Sequence, residues 1–89
     1  MASALSRQAA ELSERCGDER AASASYHALG RAALQQRRYE EAEAFFRRGL
    51  EINERLSDNA NAAAVLFDLG VVVERRSRVD EARELYRRS

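Results

Sequence analysis

Tyr26-x2-Leu29-Gly30 followed by Ala42-x3-Phe46 returns 40 residues later as Leu66-x2-Leu69-Gly70 followed by Ala82-x3-Tyr86. Sliding the chain by 40 residues pairs Met1–Gly49 with Glu41–Ser89, and 16 of those 49 pairs are identical. Glu11, Glu14, Arg15 and Asp18 fall on Glu51, Glu54, Arg55 and Asp58, and Arg47-Arg48 falls on Arg87-Arg88. A composition rich in Ala and Arg gives about 4 such matches by chance, so the chain is built from an internal repeat. Equivalent segments of a repeat share one structure, and this constraint governs every other reading of the sequence.

Outward from the signature, the second half of each unit reads as an amphipathic helix. In Tyr39–Leu56 the residues Tyr39, Ala42, Phe46, Gly49, Leu50 and Leu56 share one broad face at 3.6 spacing, with Phe45 and Ile52 at its flank. Glu40 and Glu41 sit in the first turn and Arg55 in the last, complementing the helix dipole. Glu43–Arg47, Glu51–Arg55, Glu11–Arg15 and Glu84–Arg88 have the favoured i,i+4 order and read as a solvated surface. Ala60–Val73 is apolar nearly all round, as suits a helix held by neighbours on several sides. Val71-Val72-Val73 alone favours a strand. Its repeat counterpart, Arg31-Ala32-Ala33, forms helix, so this segment is also read as helix. Breaks fall near Gln36–Arg38 and Arg76–Arg78 within units, and at Gly17-Asp18 and Ser57-Asp58 between them. Asp18 and Asp58 are placed to cap the helices that follow. The expectation is an all-α fold, an antiparallel helix-pair solenoid of about five helices at 2–16, 19–36, 39–56, 59–76 and 79–88.

Composition sets outer limits. The chain has 89 residues, 15 basic side chains that are all Arg, and 15 acidic ones. Zero net charge argues against a nucleic-acid binder or a polybasic membrane anchor. The Arg pairs at 37–38, 47–48, 75–76 and 87–88 lie near carboxylates with no interleaved aromatics, so they too read as solvated surface. The longest mostly apolar stretch is interrupted by Asn61 and Asp68 and falls short of the ~20 residues of a membrane span. No basic-then-apolar leader opens the sequence, and one cysteine cannot build a disulfide framework. These features predict a reduced, cytoplasmic helical protein.

The repeated signature resembles the tetratricopeptide repeat. In the physical logic of that resemblance, Gly30 and Gly70 let paired helices approach, Ala42 and Ala82 offer a small surface opposite, and Phe46 and Tyr86 fill the gap towards the next helix. The common repeat has about 34 residues, whereas this one has 40. In this it is similar to the longer class found in kinesin light chains, Pins-type scaffolds and many bacterial regulatory proteins. The extension Leu50-Glu-Ile-Asn-Glu-Arg-Leu-Ser-Asp58 resembles that class. Ala33 and Val73 replace a usual aromatic, the terminal Pro is absent, and Arg37 or Ser77 stands where Gly is usual. Arg37 is therefore expected at a costly backbone angle. The resemblance divides residues 1–89 into the second helix of one unit (1–17), a complete unit (18–57) and a unit truncated in its last helix (58–89).

Catalytic and metal chemistry have little to stand on. His27 is the only His and Cys16 the only thiol, and Cys16 aligns with Leu56 on an apolar face, which predicts a buried structural Cys. The four Gly residues (17, 30, 49 and 70) are isolated, so there is no phosphate-cradling loop. No enzyme activity, metal or cofactor is expected. The resemblance instead implies a concave groove lined by first helices, holding a peptide or partner helix. Its groove positions are Ala24, His27, Arg31, Leu34 and Gln35 in one unit, and Ala64, Phe67, Val71, Glu74 and Arg75 in the next. Leu34 and Val71 fit packing between helices equally well. Arg31, Gln35 and Arg75 are better ligand contacts, because charged wall residues gain little from folding. The carboxylate clamp of chaperone-binding members is absent: Arg31 and Val71 replace its Asn, and His27 and Phe67 its Lys. The alternative is a structural segment whose repeats drive homo-oligomerisation. Leu5, Ala9 and Leu12 at one end, and Val79, Ala82, Leu85 and Tyr86 at the other, are expected to lie uncovered.

Overall fold

The computed structural model describes residues 2–89, with side chains described from Arg7 onward. It contains α1 (Ala2–Arg15), α2 (Glu19–Gln35), α3 (Tyr39–Arg55), α4 (Asn59–Arg75) and α5 (Val79–Arg88). Among the described residues there is no strand, and Val71–Val73 lie within α4 with Val72 and Val73 fully buried. Each helix packs on the next in sequence, so the chain is an all-α helical-repeat solenoid. Its Cα envelope of 37 × 31 × 13 Å is thin enough that every helix keeps a face in water.

The turns explain where the helices stop. Residues Gly17, Arg37, Ser57 and Ser77 have φ of 82°, 61°, 55° and 64°. At each turn, the residue after the positive-φ position donates its N–H to the carbonyl five residues back. Arg38 bonds Ala33 at 2.8 Å and Arg78 bonds Val73 at 2.9 Å. The positive-φ residue itself bonds three back, as Arg37 does to Leu34 at 3.0 Å. This is the Schellman arrangement, which satisfies carbonyls that a helix end leaves free. Only Gly17 adopts the left-handed angle without a side-chain cost, so the strain expected of Arg37 is shared by Ser57 and Ser77. Each following helix starts at once. Asp18 and Asp58 accept the N–H of Ala21 and Asn61 at 3.2 Å, whereas Arg38 and Arg78 occupy the same position without a side-chain cap.

Two buried clusters run through the solenoid. Ala10, Ala22, Tyr26, Leu29 and Ile52 join α1, α2 and the end of α3. Ala42, Phe46, Leu50, Val65, Leu66, Leu69, Val72, Ala82 and Leu85 join α3, α4 and α5. Helix α3 touches both, so it has two buried faces. Ile52 is accordingly core at 0% exposure, where the amphipathic pattern put it at the flank.

The repeat signature packs closely within its own unit. A Cβ on Gly30 would stand 2.5 Å from the Phe46 ring, and one on Gly70 would stand 2.6 Å from that of Tyr86. The glycines thus make room for the aromatic residue of their own unit, and Phe46 also fills the gap towards the next helix, where it shares a buried cluster with Val65, Leu66 and Leu69 of α4. Three expectations are corrected. Cys16 is exposed, because nothing among the described residues packs on the side of α1 that Leu56 occupies in α3. Ala82 and Leu85 are buried against α4, so the uncovered C-terminal surface is narrower than predicted. Glu43 is buried, not part of a solvated surface. Leu12 and Val79 are uncovered as expected, at 61% and 50% exposure. The side chain of Leu5 lies outside the described residues.

Candidate functional site

Helices α2 and α4 form one layer, and a cleft of about 290 Å³ opens between them near the start of α4. Arg20, Ala24, His27, Ala28 and Arg31 line it at spacings of three and four, which put them on one stripe of α2. Asn53 closes the floor from α3, and Asp58 and Asn61 bring up the cap and first turn of α4. Of the expected groove residues, this cleft gathers Ala24, His27 and Arg31. Gln35, Glu74 and Arg75 are exposed further along the layer, and Val71 is half-buried. Leu34 packs on the core, which decides in favour of packing for that position.

His27 is more committed than its sequence position suggested. Its Nε2 lies 2.7 Å from Asp68 Oδ2, and both side chains are 23% exposed. The contact ties α2 to α4 across the cleft. The ring of His27 also lies edge-on to Phe46, at 5.8 Å between centroids. Its repeat counterpart Phe67 stands against Tyr86 at 5.6 Å while remaining 55% exposed. Burial, with Glu74 close by, raises the Tyr86 hydroxyl above its ordinary range.

Sequence reasoning missed Asn53, which is 2% exposed and accepts the Ser23 hydroxyl through Oδ1. Its Nδ2 has no acceptor among the described residues. Arg20, at the outer end of the stripe, was missed as well. Neither carries a periodic signal that separates it from ordinary polar positions. Arg20 and Arg31 both lack an ion-pair partner among the described residues, whereas most arginines of the other layer have one. Three sequence-distant pairs stitch α1, α3 and α5 together. Arg48 bonds Glu14, Arg88 repeats the contact with Glu54 at 2.9 Å, 40 residues on, and Arg47 meets Glu81. Arg55 instead reaches across to Glu19 at the start of α2.

Glu43 is the hub of the charge network. It accepts Nε of Arg47 at 2.9 Å, Nη1 of Arg76 at 2.9 Å, and Nη1 and Nη2 of Arg78 at 2.9 and 2.8 Å. Burial alone would raise its pKa, but hydrogen bonds from Arg78 and Arg47 and their charges outweigh this and hold it at about 2. Hydrogen bonds from Arg47 and Arg78 lower Glu81 in the same way. The hub joins α3 to the turn between α4 and α5, so its work is structural.

Among the described residues no group of three His, Cys, Asp or Glu is placed to hold a metal ion, and no helix is long and apolar enough to cross a membrane. The tetratricopeptide repeat family model matches residues 1–55 and again residues 33–89. No curated protein and no solved structure gives a significant match. The two family matches together span the chain, and the chain belongs to the tetratricopeptide repeat family.

Proposed function

We propose that this member of a family of protein–protein interaction modules docks an extended peptide or partner helix along the α2/α4 layer, and that it is not an enzyme. The observation that carries this reading is the cleft itself. Arg20 and Arg31 stand there without ion-pair partners among the described residues, on either side of the buried Asn53, whose free amide donors suit a peptide carbonyl or carboxylate. Outside the cleft, Phe67 and Val71 offer apolar surface and Gln35 and Arg75 offer donors, whereas Glu74, together with Asp68 beside His27 and Asp58 in the cleft lining, opposes an anion. The preferred ligand is a partly acidic segment with an apolar anchor. A cytoplasmic setting suits the exposed lone thiol of Cys16.

Fluorescence anisotropy with labelled acidic, neutral and basic ten-residue peptides tests the assignment. The acidic set should bind best, weaken with added salt, and lose at least about tenfold in affinity on Arg20→Glu with Arg31→Glu, at unchanged melting temperature. Preference for basic peptides, or indifference to salt, would refute it.

A second reading has its own support. Leu12 is 61% exposed at the position where Ile52 of α3 is 0% exposed, so α1 presents a core-type side to solvent. Self-association through α1 would cover it. Sedimentation equilibrium at tens of micromolar should then show a dimer that Leu12→Glu dissociates; a monomer excludes this reading.

A further inference from the structure

Four polar residues of the α2/α4 cleft are not demanded by the repeat. Forty residues away, Arg20 is matched by Ala60, Ser23 by Ala63, Arg31 by Val71 and Asn53 by Ser13. The same helical unit therefore forms with small or apolar residues at these places, and the polar set is particular to this cleft. Asn53 is its most telling member. It is 2% exposed, spends Oδ1 on the Ser23 hydroxyl, and lines the cleft with an Nδ2 that has no acceptor among the described residues. Among those residues no sealed side-chain nitrogen or oxygen lacks a partner, so this Nδ2 is reached from the cleft. A buried amide is favourable only when its donors are used, and here one group of donors is left for a ligand.

The two arginines set a length. Eleven residues separate Arg20 from Arg31, close to three helical turns, which puts them on one face of α2 about 16 Å apart along its axis. Between them Ala24 and Ala28 are exposed and carry only methyl groups, so the main chain of a ligand can lie close to the stripe. A cleft of about 290 Å³ drawn out over that length is about 18 Å² in section, comparable to one extended chain. A helix is about 10–12 Å across and does not enter. An extended chain advances about 3.3 Å per residue and covers the distance in about five residues, whereas a helix lying alongside needs about eleven. Asn53 bonds Ser23, three residues beyond Arg20, and so reaches such a chain between its ends. The carboxylates at the border are already engaged. Asp58 accepts the N–H and Nδ2 of Asn61 at 3.2 and 2.7 Å, and Asp68 meets His27 at 2.7 Å. Positive charge without a partner therefore stands at the two ends of the stripe.

We propose that the cleft measures its ligand: it takes an extended segment whose two carboxylates, about five residues apart, meet Arg20 and Arg31, while Asn53 Nδ2 donates to a main-chain carbonyl between them. The inference rests on the peptide-docking reading above and deepens it, fixing the conformation of the ligand and the spacing of its charges. Charge at one end alone engages one arginine, and the second contact is gained only when the spacing matches.

Three labelled peptides of equal length and composition, neutral except for two glutamates placed two, five or eleven residues apart, test it by fluorescence anisotropy on the 89-residue protein. The five-spaced peptide should bind at least about fivefold tighter than either of the others. Arg31→Gln, at an exposed position, should erase that preference at an unchanged melting temperature. In the parent protein the side-chain amide resonances of Asn53 should shift when the five-spaced peptide is added. Tightest binding at spacing eleven would mean a helical ligand, equal affinities would mean that the cleft does not measure, and an unmoved Asn53 amide would remove the central contact. Each of these overturns the proposal and leaves peptide docking standing. Binding of none of the three overturns it too, and the docking reading falls with it only if the acidic ten-residue peptides also fail to bind.

Discussion

Replacing Glu43 by Gln keeps the volume of the side chain and removes its charge. The carboxylate is 12% exposed and receives four hydrogen bonds from three arginines, which are themselves 45%, 35% and 36% exposed. Taking one partner from a fully buried ion pair costs about 3–5 kcal/mol. Here the guanidinium groups can turn to water, so the expected loss is ~2–3 kcal/mol. In a chain of this size that lowers the melting temperature by about 10–20 °C. The pH dependence gives a second check. With its carboxyl held at about 2 in the folded chain against an ordinary 4.5, Glu43 contributes its full stabilisation above about pH 5 and loses it as the pH falls towards 2. The gap between parent and Glu43→Gln should therefore be widest near neutrality and close in acid. Urea melts at pH 7, 5, 4 and 3 measure it. A Gln variant that melts within 2 °C of the parent at pH 7, or a gap that stays constant down to pH 3, would show that the hub is held by packing and not by charge.

Three further outcomes are expected. Arg37→Gly and Ser77→Gly should each stabilise the fold by about 0.5–1 kcal/mol, since relief of left-handed strain exceeds the added freedom of the unfolded chain; lowered denaturant midpoints would contradict this. Gly30→Ala and Gly70→Ala should destabilise by ~1–3 kcal/mol, because the new methyl displaces the Phe46 or Tyr86 ring. Gly49→Ala, whose nearest contact would be an ordinary 3.5 Å, should be neutral or stabilising by up to ~1 kcal/mol, and thermal melts of the three together separate the cases. Ala42→Leu or Ala82→Leu should cost roughly 1–3 kcal/mol by overpacking positions that are 0% and 1% exposed, and unchanged melting would show that these sites have room.

The fold was readable because its determinants recur. Leu29-Gly30 and Leu69-Gly70 mark the same packing twice, and the recurrence overrode the strand preference of Val71–Val73. The helices run as expected to within one residue, the difference being cap residues such as Gln36 and Leu56. What escaped depends on partners remote in sequence. Glu43 and Arg47 form a good i,i+4 surface pair when viewed alone; Glu43 is buried only because Arg76 and Arg78 arrive from a turn 33 and 35 residues later. Cys16 misled for the opposite reason. Its counterpart Leu56 is partly covered because a whole helix pair precedes it, and alignment of equivalent positions carries no information about whether a neighbour is present. The cleft was half-visible: the stripe of α2 follows from helical spacing, whereas Asn53 enters from α3 and needs three dimensions to be seen.

The strict succession of contacts, each helix on the next with little reaching further, also shapes how the chain comes apart. Such a structure has no long loop to close and no central element on which everything depends. Its opening behaves like the fraying of a one-dimensional array, in which each helix is held by its immediate neighbours. Among the described residues, helices α2, α3 and α4 have a partner on both sides, while α1 and α5 have one each. Amide protons should therefore exchange in a graded order from the two ends inward, with Ile52 and Leu69 among the last to open and α1 and α5 among the first.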